Sequence, residues 1–118
     1  MDVYTYQIAK WRVVKALDSG ILLLDTTVKS GYAQVAPTWE MVLGSKDGSM
    51  SEEKYTAMYH DILDYSRRVN PNFWAALLRL EKVAVGCYCA RGKFCHRHLL
   101  VKYLCRINNT VNYVAEIG

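Results

Sequence analysis

Val83-Ala84-Val85-Gly86-Cys87-Tyr88-Cys89, then Ala90-Arg91-Gly92-Lys93-Phe94, then Cys95-His96-Arg97-His98-Leu99-Leu100: residues 83–100 decide the fold. An uninterrupted run of small and apolar residues is the pattern of a strand covered on both faces, so Lys82–Cys89 is predicted to be a buried strand. Beyond Cys95 the period changes. Leu99, Leu100, Tyr103, Leu104 and Ile107 recur at three- and four-residue spacing and predict a helix over Cys95–Ile107. A buried strand, a short cationic loop and a helix form the first part of a strand–helix–strand unit. Thr110–Ile117 is then the returning strand.

The same alternation extends towards the N-terminus. Asn70-Pro71 starts a helix with proline at its first position, burying Phe73, Trp74, Leu77 and Leu78. Ser51 with Glu52 and Glu53 starts another, whose apolar face carries Tyr55, Met58, Tyr59, Ile62 and Ser66. A short helix is expected from Pro37-Thr38 to Leu43, broken by Gly44–Gly48. Ile21–Asp25 is a second buried strand, closed by an acid and followed by the polar loop Thr26–Gly31. Tyr6, Ala9, Val13, Ala16 and Leu17 suggest an opening amphipathic helix that stops at Ser19-Gly20. The predicted order is α-β-α-α-α-β-α-β. It gives a single α/β domain over residues 1–118: a small three-layer, Rossmann-like fold with a mostly parallel sheet.

Composition agrees with one soluble core. The chain has 118 residues, 52% hydrophobic and 22% charged, too short for two sizeable domains and too apolar for a disordered chain. No secretory leader is recognisable, and no apolar run, Ile21–Leu24 included, is long enough to span a bilayer. A cytoplasmic protein without membrane association is expected. Cys87, Cys89, Cys95 and Cys105 all lie in the final third, whereas a disulfide framework would tie distant segments together. Reduced thiols, a metal site or a reactive cysteine fit that distribution better. Between Lys82 and Arg106 there are cations at Lys82, Arg91, Lys93, Arg97, Lys102 and Arg106 and no carboxylate, against a net charge of +4 for the whole chain. Such a field attracts phosphate on a small molecule or on nucleic acid.

Parallel sheets bind ligands beyond the carboxyl ends of their strands, which directs attention to the loops after Asp25 and after Cys89. Three chemistries use those residues. The unpaired N–H groups at the helix start, with Arg91 or Arg97 as a bidentate clamp, would cradle an anion. Cys95, beside cations and His96, would be a nucleophile of lowered pKa. A cysteine phosphatase is disfavoured, because that loop places five residues and an arginine after its cysteine, a spacing the stretch from Cys89 does not reproduce. Cys87, Cys89 and Cys95 with His96 or His98 supply enough soft ligands for zinc, although a single residue between paired cysteines is unusual. Asp25 is suited to orient a ribose hydroxyl or an arginine, or else to cap its own loop, and Thr26, Thr27, Lys29 and Ser30 can hold a phosphate. Trp39 is a stacking platform for a base or a core residue.

Two blocks carry a family resemblance: the strand ending Asp25-Thr26-Thr27, and Val83–Cys89 followed by Cys95-His96-Arg97-His98-Leu99-Leu100. With these the chain resembles the family called domain of unknown function four-eight-eight, in a short form seen in bacteriophage genomes. The family tends to carry arginine where this chain has Thr27; Lys29 is the nearby substitute. The resemblance implies a fold similar to the Rossmann-like sheets of nucleoside deoxyribosyltransferases, and a nucleotide or nucleoside derivative as ligand. In a phage such a protein would sequester or alter a host signalling or cofactor nucleotide.

The leading expectation is therefore a small-molecule binding protein for a phosphorylated, nucleotide-like ligand. Its binding residues would be Asp25, Thr26, Thr27, Lys29, Ser30, Arg91, Cys95, His96 and Arg97. The alternative is an enzyme acting at an N-glycosidic or phosphate bond through Asp25, or through Cys95 with His96. A nucleic-acid binding module comes third, for want of a recognisable motif with interleaved aromatics. Zinc at Cys87, Cys89, Cys95 and His98 is the one cofactor considered, and the abundant aromatics leave room for a homo-oligomer.

Overall fold

The computed structural model describes residues 1–89 and 93–118. Its centre is a four-stranded, wholly parallel sheet in the order β2-β3-β1-β4. The strands are β1 (Asp2–Gln7), β2 (Leu22–Asp25), β3 (Lys82–Cys87) and β4 (Asn112–Ile117). The helices are α1 (Trp11–Leu17), α2 (Trp39–Asp47), α3 (Glu52–Val69), α4 (Pro71–Leu78) and α5 (His96–Ile107), with short 3-10 turns at Ile8–Lys10 and Ala33–Val35.

The N-terminus departs from the sequence expectation. Residues 2–7 form β1, an inner strand paired with both β3 and β4, where an opening helix was predicted from Tyr6. In Val3-Tyr4-Thr5-Tyr6 both alternating sets are β-branched or aromatic, which suits a pleated surface buried on two sides. The helical spacing counted from Tyr6 was coincidental. In α1 the buried residue is Val14, while Val13 and Leu17 are 51% and 67% exposed. With β1 in place, helix follows each of β1, β2 and β3, and the sheet is parallel throughout.

Two layers of helix cover the sheet. On one face Val3, Leu24, Val83 and Val85 meet Tyr59, Leu63, Trp74, Leu100, Tyr103 and Leu104. On the other, Tyr6 and Ala84 meet Val14 and Ile21 beneath the much shorter α1. This is the three-layer arrangement expected of a Rossmann-like domain.

Local chemistry explains the helix ends. Thr38 and Ser51 cap α2 and α3, their hydroxyls accepting from Met41 N–H at 3.2 Å and Lys54 N–H at 3.1 Å. Pro71 begins α4, as predicted. α2 runs through Gly44, where the sequence suggested a break, and stops at Gly48, whose φ of 79° is the left-handed terminus open to glycine. Among the described residues, no helix is long and apolar enough to cross a membrane.

Candidate functional site

β2 and β3 are parallel neighbours, so their carboxyl ends open on one edge of the sheet. The pairing continues one residue further, Thr26 N–H donating to Gly86 O at 3.0 Å. The chain then turns on Asp25. Asp25 Oδ1 accepts from Thr27 N–H at 2.9 Å and from Thr27 Oγ1 at 2.7 Å, and Oδ2 accepts from Ser30 Oγ at 2.7 Å. A Cβ on Gly31 would stand 2.5 Å from Asp25 O and Thr27 N, so only glycine closes this loop. Asp25 is thus the staple of the 26–31 loop. The cavity wall is made by what it holds, Thr27 to Ser30.

His96, the first residue of α5, joins this loop to the helix. Its ring lies 2.9 Å from Thr26 O and 2.8 Å from Thr26 Oγ1 through Nε2, and 3.3 Å from Tyr55 Oη through Nδ1. Nε2–H donates to the Thr26 carbonyl, which leaves Nδ1 as an acceptor facing Tyr55 and the Cys95 sulfur at 3.8 Å. Burial, helped by the Arg97 guanidinium, lowers the imidazole from 6.5 to about 4. At neutral pH His96 is therefore an uncharged bridge.

Arg97 requires a correction. The sequence suggested a clamp on a ligand, but the guanidinium is 0% exposed and absent from the cavity wall. Nε donates to Glu116 Oε1 at 3.0 Å, Nη2 stands 2.9 Å from the same oxygen, and Nη1 donates to Cys87 Sγ at 3.0 Å and Cys89 O at 2.8 Å. A buried arginine needs a carboxylate, and β4 supplies it from a strand that nothing local in the sequence associates with Arg97. Arg91, its intended companion, lies outside the described residues. The cationic stretch is likewise dispersed: Lys82 pairs with Asp18 at 2.9 Å at the start of β3, and Arg106 lies over the Tyr103 ring.

Three of the cysteines do converge. Cys87 ends β3, Cys89 follows two residues later, and Cys95 is the N-terminal cap of α5; their sulfurs all lie within 4.8 Å of one another. The Cys87 and Cys95 sulfurs touch at a Cα separation of 7.7 Å, wider than the roughly 4.4–6.8 Å usual for a disulfide. His98 stands apart from this group, its Nε2 3.9 Å from Glu116 Oε1. Cys105 sits on α5 away from it.

The profile of the family DUF488-N3a, described as the active DUF488-N3 subclade, matches residues 7–107, from the last residue of β1 to the end of α5. The chain belongs to this family. No curated protein and no solved structure gives a significant match.

In this DUF488-N3a chain the matched region contains the whole candidate site, and the loop, strand end and helix start enclose a cavity of about 440 Å³. Its floor is sulfur and imidazole, from Cys87, Cys89, Cys95 and His96. The 27–30 loop with Lys29 lines the cavity too, as do Trp39, Val42, Ser45 and Lys46 of α2, Tyr55 of α3 and Phe94. The contribution of α2 was missed in the sequence apart from Trp39, which is 53% exposed and so no core residue. Tyr55 was assigned to the core stripe of α3. It is buried there, yet it also borders the cavity. No local pattern marks such residues, because their role depends on α2 and α3 folding over the sheet edge.

Proposed function

We propose that the cavity binds a small phosphorylated ligand with a flat heterocycle, that is, a nucleotide-like molecule. One observation carries this: the aromatic surfaces of Trp39, Tyr55 and Phe94 share the cavity with two ammonium groups, Lys29 and Lys46, and the hydroxyls of Thr27, Ser30 and Ser45. The first group offers stacking and the second takes an anion. A volume near 440 Å³ lies within the range of small-molecule sites, about 300–1,000 Å³. The clamp role first given to Arg97 passes to the two lysines, Lys29 from the 26–31 loop and Lys46 from α2. Titration calorimetry with a panel of nucleoside monophosphates and the matching nucleosides tests the proposal. Binding that requires both base and phosphate supports it; equal indifference to all members of the panel refutes it.

A second role, bond cleavage at an N-glycosidic or phosphate centre, is favoured by the sulfurs on the floor. Cys95 is the better nucleophile candidate, since Asp25 is held by its own loop and does not border the cavity. The neutral imidazole beside Cys95 would accept a hydrogen bond rather than form a stable imidazolium–thiolate pair. Chromatography of the same nucleotides after incubation distinguishes binding from turnover: new products establish cleavage, and unchanged substrates set it aside.

A further inference from the structure

We propose that Cys87, Cys89 and Cys95 form a three-thiolate site for a soft divalent cation of the zinc type, with the fourth coordination position open to the cavity. This goes beyond ligand binding and stands whether or not the cavity takes a nucleotide. The three sulfurs already lie within 4.8 Å of one another, and a tetrahedral site with Zn–S bonds of about 2.3 Å places its sulfurs roughly 3.8 Å apart. Small side-chain rotations that part Cys87 from Cys95 bring the group to that size. The ligands come from a strand end and a helix start that the fold positions independently of any metal.

The surroundings hold the cluster in place. Arg97 Nη1 donates to Cys87 Sγ at 3.0 Å and to Cys89 O at 2.8 Å, so a fully buried guanidinium both stabilises one sulfur and orients the segment carrying another. This is the outer-shell support that metal ligands receive. Cys95 precedes the first turn of a twelve-residue helix and its side chain caps no backbone N–H; its sulfur lies 3.8 Å from His96 Nδ1 and against the Cys87 sulfur. No carboxylate belongs to the group, and thiolates alone select soft cations over magnesium or calcium. Each thiol that binds releases its proton to solvent.

Three protein ligands leave a tetrahedral ion one short. The nearby histidines do not supply the fourth: His96 is held by Thr26 and Tyr55, and His98 faces Glu116. All three cysteines border the cavity, so water or an added ligand completes the shell from that side.

The test uses the full chain, reduced and stripped of metal. Zinc is titrated against a chromophoric chelator, and cobalt(II) is added as a spectroscopic probe. We expect one zinc per chain, and cobalt bands showing sulfur-to-metal charge transfer and tetrahedral geometry that shift on addition of imidazole. Outer-shell losses alone lower metal affinity about 10–100-fold, so Cys89→Ser and Cys95→Ser should each cost at least about tenfold. Cys105→Ser, outside the cluster, should cost nothing. Cys89 is partly exposed, so its variant retains the fold even where Cys95→Ser does not. Absence of stoichiometric zinc overturns the site, as does affinity that survives Cys89→Ser. A cobalt spectrum indifferent to imidazole overturns the open fourth position.

Discussion

Acidification should destabilise this protein chiefly through the His96 imidazole, and the size of that contribution follows from its burial. The ring is 5% exposed and held neutral, with a folded value of about 4 against 6.5 for an unperturbed histidine. Between these values the unfolded chain takes up a proton that the folded chain refuses, so stability falls as pH drops through the window from 6.5 to 4. With one pKa unit worth about 1.36 kcal/mol, linkage gives a loss of about 2 kcal/mol at pH 5 and about 3 kcal/mol at pH 4, and almost none at pH 7. Urea denaturation at these pH values, on reduced and chelator-treated protein, measures it. His96→Gln is the reference, because its amide can still donate to the Thr26 carbonyl but does not titrate. Carboxylates titrate in both proteins and cancel in the difference. Parallel stability curves for the two proteins would refute the assignment. So would an NMR titration of wild-type His96 with a midpoint near 6.5.

Arg97→Met should cost about 3–5 kcal/mol in urea denaturation by leaving Glu116 as an unpaired buried charge; adding Glu116→Leu should recover most of it, and a single variant as stable as wild type would show the pair to be dispensable. Asp25→Asn weakens the charge-assisted bonds that hold the 26–31 loop and should cost about 1.5–3 kcal/mol, with faster amide exchange in that loop; unchanged exchange would deny its role as a staple. Trp39→Ala should leave the melting temperature nearly unaltered while weakening adenosine monophosphate by about 1–3 kcal/mol, the worth of one stacked base; equal affinity would place the heterocycle elsewhere. Lys46→Ala should weaken adenosine monophosphate but not adenosine, and the same loss with both would remove phosphate from that lysine.

Residues 83–100 specified a buried strand, a loop and a helix start without reference to anything distant, because strand burial and helical period are properties of contiguous sequence. The same holds for the helix starts at Ser51 and Pro71 and for the acid-ended strand at Asp25. The convergence of Cys87, Cys89 and Cys95 was legible too, since a strand end and the following helix must lie close together. What escaped was whatever depended on a partner far along the chain. β1 is a strand because β3 and β4 flank it, while its Tyr6 also fitted a helical spacing that ran on through residues 9–17. Arg97 looked like a free cation until Glu116, nineteen residues later, met it across the sheet. Tyr55 and Lys46 became cavity residues only when α2 and α3 folded over the strand ends. Local pattern determines which elements form; the pairing of buried charges and the lining of a cavity are decided by long-range packing, because a side chain's role depends on which groups from elsewhere displace its water.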